Sequence, residues 1–431
     1  MQTLNIKPLE IVIPGSYYDS QIYDGKLYLW KNDGSITTLN WNKLIENINV
    51  NENLKLVLKF SVQYGDNLYN NVLFQDSDIK DLILKKFQEL VENSIEISYP
   101  DLSKLIVSEQ NNPLPFPHAD SSIHYKTVYV GSQSGVSSSK CAYSRSKSLN
   151  PVADKLCDVP VVSLSASHLT LALAAGSEGL FDYYIGKNPS QKRNEPRLIL
   201  GQHSNFVRWL YPSIFSSSYF NEGYFADFKA SKKRKSIKKG YKRQEPQLIP
   251  LNILDTDTDE NPVSIASLEI GETQITNRDF QKSFSSSEIF TNRDNNNSSI
   301  FTWGTHDKIC LLTEKYINLV KFHPKGKEQQ DKFISLGSIE SKELLDDLIS
   351  ADSSFFGIVL EKEDGILVIT SLLEYIHFPG EPVNWRLFPK SKNYTNQLHI
   401  IYEDRLCIYS FNHDFFVDQE NKKIGISFGA S

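Results

Sequence analysis

Gly135, Gly179 and Gly223 stand 44 residues apart, and each falls between two strand-like runs. The stretches around them share a shape. "TVYVGSQSGV" (127–136), "LALAAGSEGLFDYYI" (171–185) and the weaker "SSYFNEGYFADF" (217–228) place apolar or aromatic runs on both sides of a turn. The same shape appears early at "KLYLWKNDGSITTL" (26–39), where Asn32-Asp33-Gly34 tolerates the positive φ of a tight hairpin. It returns at "FTWGTHDKICLL" (301–312) with Lys308 in the glycine place, and at "GIVLEKEDGILVI" (357–369) with Gly365. A last copy, "LHIIYEDRLCIY" (398–409), has Arg405, 40 residues after Gly365. Seven copies result, with long gaps of 101 residues from Gly34 to Gly135 and 85 from Gly223 to Lys308.

A period of about 40–45 residues with several strands per unit is the spacing of propeller blades. One four-stranded blade cannot bury both faces alone; radial stacking covers the faces, and ring closure protects the edges. An aromatic content of 12%, with 21 Tyr and 24 Phe, suits pleated, half-buried surfaces. The pattern resembles a degenerate β-propeller of the WD40-like or PQQ-like kind over most of the chain, although no copy carries a Trp-Asp pair with a preceding Gly-His. The expectation is an all-β, seven-bladed β-propeller spanning 1–431 as one domain. Tandem β-sandwiches are the alternative; they need no equal units, so the 44-residue period argues against them. Pairing of "LNIKPLEIVI" near the start with "KKIGISF" near the end is expected to close the ring.

The two gaps read as insertions. In 76–94 Ile79, Leu82, Leu84, Phe87, Leu90 and Val91 approximate helical spacing, with Asp76 or Ser77 as cap, so a short helix is expected after the first blade. The second gap, 229–299, joins the basic run "KASKKRKSIKKGYKR" to the polar "NRDFQKSFSSSEIFTNRDNNNSS", and TNRD occurs at 276–279 and again at 291–294. Such stretches bury too little apolar surface to order, so a disordered, charged insertion is expected after the fifth blade.

The overall charge of −6 excludes a global positive field. The cysteines, Cys141, Cys157, Cys310 and Cys407, fit neither a disulfide framework nor a zinc template. "MQTLNIKPLE" lacks the pattern of a secretory leader, and "LTLALAAG" is too short to span a bilayer. A soluble, cytoplasmic protein without cofactor, metal or membrane contact is expected.

No motif names a reaction. In "YVGSQSGVSSS" (129–139) Gly131 and Gly135 are too close for a phosphate-cradling loop, Val136 stands where the lysine should, and Lys140 comes too late, so the stretch reads as a hairpin. The run "DTDTDE" (255–260) offers Asp255, Asp257 and Asp259 in calcium-loop spacing, but Glu260 and Ala266 occupy the places of the required Gly and Glu. The nine histidines are scattered, and the neighbours His118/Asp120 and His306/Asp307 make no catalytic pairs by proximity alone. No GxSxG is present.

Two features remain as binding candidates. Lys232, Lys233, Arg234, Lys235, Lys238, Lys239, Lys242 and Arg243 form a run able to bind a polyanion, nucleic acid included, by counterion release. The acidic run that follows is an internal counterweight. Arg208 and Trp209 in "NFVRWLYPSIF", with Trp385 and Arg386 in "FPGEPVNWRLFP", are residue types that dominate protein interfaces. Most of these aromatics are expected in blade cores, and the prolines place Trp385 at a blade end. The expected function is a non-catalytic interaction scaffold that binds another macromolecule through blade-end loops, within a nucleic-acid-associated complex. The alternative is a hydrolase or lyase at the central channel; three or more converging titratable groups there, or a bound metal, would defeat the scaffold reading.

Overall fold

The computed structural model describes residues 7–65, 68, 71–142, 148–167, 169–186, 195–210, 213–218, 222–230, 278–291, 299–323, 332–340 and 347–416. Their strands form seven sheets, six of four strands and one of five. The innermost strands, from blade 1 to blade 7, are Tyr17–Tyr23, Asp120–His124, Ser163–Ser167, Phe206–Leu210, Ser299–Thr305, Leu348–Ser354 and Asn384–Leu387. Each touches the innermost strand of the next blade, and blade 7 touches blade 1, so the ring is closed. The expected seven-bladed β-propeller is therefore present, and equal radial units exclude paired sandwiches.

The ring closes through the N-terminal strand. Leu9–Pro14 is the fourth strand of blade 7 and pairs antiparallel with Arg405–Ser410. The expected partner, "KKIGISF", lies outside the described residues. The free edge of Leu9–Pro14 is covered by Ile95–Glu96, which runs parallel to it. A covered edge cannot template pairing with another chain.

The repeated glycines have a common cause. In blades 2, 3 and 6, Gly135, Gly179 and Gly365 open the third strand with φ of +110°, +102° and +147°. A Cβ at any of them would stand 2.2 Å from a carbonyl oxygen of the fourth strand, that of Cys157, Leu200 or Phe378. Gly223 keeps the place without the conformation: the Phe215 ring comes within 2.4 Å of a Cβ there. Lys308 is out of phase. It opens the second strand of blade 5, Lys308–Thr313, and the third begins at Tyr316.

Both insertions lie inside blades rather than after them. The first joins the third strand of blade 1, Ser35–Asn40, to its fourth, Ile106–Asn111. It contains helices α1 (Trp41–Asn47), α2 (Glu52–Val62), α3 (Ser77–Leu90) and α4 (Tyr99–Leu105). Asp76 caps α3 by accepting from the amides of Asp78 and Ile79. The helices pack Leu44, Leu54, Leu58 and Val62 against Leu9, Ile11 and Ile13 of the closing strand. The carbonyl of Ser61 at the end of α2 accepts from Asn396 Nδ2 and Ser410 Oγ, both at 2.6 Å. The second insertion joins Gly223–Ala230 to Arg278–Ser285, so it falls within blade 4, not after the fifth. Residues 231–277, including the whole Lys232–Arg243 run, lie outside the described residues. Of the Asn/Ser-rich part, 278–285 is the fourth strand of blade 4 and seats the buried Phe284, because a blade needs a fourth strand and pairing supplies it.

Gly179→Ala is expected to lower the unfolding free energy by about 3 kcal/mol, strain and collision together. Gly176→Ala, at φ +57° with nothing within 4 Å of the new methyl, is expected to lose only about 1 kcal/mol. Urea denaturation measures both; equal losses would remove the close approach as the reason for the repeated glycine.

Candidate functional site at the central channel

The inner strands all begin on one face of the ring, here the top, and end on the other, the bottom. Antiparallel order puts the hairpins between second and third strands on the top and both insertions on the bottom. The strands enclose a channel of about 1030 Å³.

Three inner strands carry an aspartate followed by serine: Asp19-Ser20, Asp120-Ser121 and Asp352-Ser353. In each, aspartate Oδ1 accepts from the amide of the next residue, at 2.8, 2.8 and 2.7 Å. This turns the carboxylate along its own strand toward the neighbouring blade. Asp19 is fully buried. Arg386 of blade 7 grips it with Nε to Oδ1 at 2.8 Å and Nη2 to Oδ2 at 2.9 Å. The third guanidinium nitrogen donates to Asp120. Asp19 Oδ2 also accepts from Ser121 Oγ at 2.6 Å and lies 2.8 Å from His118 Nε2. Burial alone would push the Asp19 carboxyl up; Arg386 and His118 override it and hold the group well below the usual carboxylate range. Burial would likewise lower Arg386, and its two aspartates raise it instead.

The contacts continue around the ring. Asp120 Oδ2 accepts from the Leu164 amide of blade 3 at 2.9 Å. Trp209 of blade 4 donates its indole N–H to the Ser165 carbonyl at 2.9 Å. Arg208 holds Asp352 of blade 6 through Nε and Nη2, both 3.1 Å, and Thr305 of blade 5 donates to the same carboxylate. Trp385 Nε1 donates to Glu361 Oε2 at 2.9 Å, linking blades 7 and 6. The circuit returns to blade 1 through Arg386. Inside it His399 lies 3.0 Å from Ser20 Oγ, and burial lowers its pKa to about 3, against the upward pull of Asp19.

The four residues expected at a protein interface are thus divided. Trp209 is 1% exposed and packs with Val207 and Ile214 against Ala172 and Leu180, so its ring belongs to a blade core. Arg386 and Arg208 spend their guanidinium groups on Asp19, Asp120 and Asp352. Trp385 is half-buried at the top mouth of the channel. There it lies with the half-buried Phe206 and with Ile349 and Val383, which are 47% and 45% exposed. At the bottom the connection 388–396 crosses the mouth: Lys390 Nζ donates to the Ala166 carbonyl of blade 3 at 3.0 Å.

Titratable groups do converge on the channel, the feature expected to defeat a scaffold, but the buried carboxylates Asp19, Asp120 and Asp352 are held by Arg208 and Arg386. A general acid or base needs access to substrate and a pKa near the working pH. Asp19 has neither. Among the described residues no group of His, Cys, Asp and Glu could hold a metal. Asp307 lies 3.3 Å from Lys308 Nζ. Asp19 and Asp352 are not singled out by the sequence, and Asp120 is noted only as a neighbour of His118, although a signal is present. Asp19 and Asp120 each stand 15 residues before their hairpin glycines, Gly34 and Gly135.

No helix among the described residues is long and apolar enough to cross a membrane. No family model matches the sequence, and no curated protein is similar to it. Among solved structures, the chain is similar to Chaetomium thermophilum Raptor, with a TM-score of 0.48 and 7% identity over 95% of this chain, and it spans 29% of that protein's length. It is also similar to the WD40 domain of Neurospora crassa Pan2, with a TM-score of 0.46 and 8% identity, covering 96% of this chain and 97% of that one. A computationally designed protein, Ika8, gives 0.43 and 6% identity, with 94% and 100% covered.

Proposed function

We propose that this chain is a non-catalytic interaction scaffold of the cytoplasm, whose blade-end loops hold a protein partner on the top face. The observation that carries the reading is the use of the channel's buried carboxylates and guanidinium groups: they tie blades to one another and are not presented to a substrate. What is presented at the top is apolar. Phe206, Ile349, Val383 and Trp385 border the mouth, and acidic turns stand around them, among them Asp33, Glu178, Glu222 and Glu403. Exposed apolar groups rimmed by charge suit a protein partner with basic residues at its edge.

A second reading concerns the bottom face. The strand Gly223–Ala230 ends there, at the point where the basic run 229–243 starts. We assign that run to polyanion binding, nucleic acid being the first candidate.

Ile349→Asp with Val383→Asp is expected to leave the melting temperature within about 2 °C, as surface changes do. The double variant should lose the proteins that wild type captures from its native cell. An unchanged captured set would contradict the top-face assignment. Replacing the eight basic residues from Lys232 to Arg243 by serine should weaken binding to mixed-sequence nucleic acid and flatten its salt dependence. Equal affinity and slope would end the polyanion assignment.

The structural task of His399 predicts a pH effect. Folded, it takes a proton only near pH 3; unfolded, near 6.5. Between those values the unfolded chain binds the extra proton, so stability falls as pH falls. Asp19 works in the other window: its contribution is present above the unfolded carboxyl value and is lost only in stronger acid. From pH 6.5 to 5 the loss from His399 is about 2 kcal/mol. His399→Gln should remove that part of the slope in melting temperature against pH. A variant with the wild-type slope would place the titrating group elsewhere.

A further inference from the structure

The hairpins between first and second strands lie on the bottom face, and two of them form the channel rim over blades 1 and 2. Such two-residue turns need positive φ at both central positions and select Asn, Asp and Gly. Blade 1 complies with Asp24-Gly25, at φ 51° and 68°. Blade 2 has Tyr125-Lys126 instead, at φ 46° and 57°. A bulky pair in this conformation is unfavourable for folding, and such strain collects at functional positions. Its effect is to hold the Tyr125 ring, 47% exposed, against the imidazole of His124 with centroids 4.1 Å apart. Tyr64, just beyond α2, is 39% exposed and lines the same channel. The third side of this mouth is the connection 388–396, which is tied to blade 3 by Lys390 and carries the exposed Lys392. Lys392 has no ion pair among the described residues.

Cations beside flat, fixed aromatic faces are the elements that bind single-stranded nucleic acid without sequence preference: phosphates meet the lysines and a base stacks on the ring. A duplex keeps its base faces covered and offers only phosphates. We infer that the bottom mouth of the channel is a single-strand nucleic-acid site, with Tyr125 as the stacking platform and Lys392 as the phosphate contact. The inference rests on the polyanion reading of the bottom face and narrows it to one ligand.

The test uses the full chain and a fluorescein-labelled oligothymidylate of about 12 nucleotides, a length within the range such sites cover. Duplex DNA of the same length and inorganic polyphosphate serve as comparison ligands. Tyr125→Asn is the informative variant, because Asn tolerates positive φ and the hairpin should melt no lower than in wild type. It is expected to weaken oligothymidylate binding about tenfold, the loss of one stacked base, and to leave polyphosphate affinity unchanged. Lys392→Glu is expected to weaken both. If Tyr125→Asn binds the oligonucleotide as wild type does, or if wild type binds duplex as tightly as single strand, the inference is overturned. In either case continued polyphosphate binding leaves the polyanion reading standing. If wild type binds neither oligonucleotide nor polyphosphate, both fall together.

Discussion

One guanidinium holds the place where this ring closes. Arg386 comes from the innermost strand of the last blade and grips Asp19 of the first blade and Asp120 of the second. A buried charge without its partner is strongly destabilising, whereas a fully bonded set is tolerated. Asp19 meets that condition through Arg386, His118 and Ser121, and Asp120 meets it through Arg386 and the Leu164 amide. From this seam polar contacts run through every blade and return. The backbone closure by Leu9–Pro14 acts at the outer rim, and the ion cluster acts at the inner one. The helices of the first insertion strengthen the outer seam, since Leu44, Leu54 and Leu58 pack on the closing strand.

The closed inner circuit favours the proposed use of the ring as a support for binding. Its carboxylates and guanidinium groups are committed to one another, so the inner strands are fixed and the two mouths are rigid. Rigid mouths lower the ordering cost of binding. The faces then differ through their loops. The top has short hairpins with acidic turns around an apolar rim. The bottom has the long connections between third and fourth strands, the lysine-bearing crossing segment and the exposed tyrosines.

The architecture was legible because its signal is local. Gly34, Gly135, Gly179 and Gly365 mark hairpins whose geometry forbids most side chains, and these recur with the blade period. Lys308 slipped by one strand because a hairpin looks alike between first and second strands and between second and third. The strand at 278–285 was hidden because its sequence, "RDFQKSFS", is polar by composition, and only pairing with Gly223–Ala230 makes it a strand. The inner circuit was not legible as contacts. Arg386 and Asp19 are 367 residues apart, and nothing local joins them. Their residue types misled in a definite way: Arg and Trp are common at interfaces, and equally common where a core must satisfy a buried carboxylate or fill a gap between blades. Burial assigns Trp209 to a blade core, and the half-buried Trp385 is left to the proposed interface.

A double-mutant cycle on Asp19 and Arg386 tests the closure most directly. Unfolding free energies of Asp19→Asn, Arg386→Met and the pair would be measured in urea. If the fork closes the ring, each single change costs about 3–5 kcal/mol, since each strands a buried charge, and the pair costs little more than either alone. Losses that simply add would show that the two side chains stabilise the blades independently and that the ring is closed by its backbone alone.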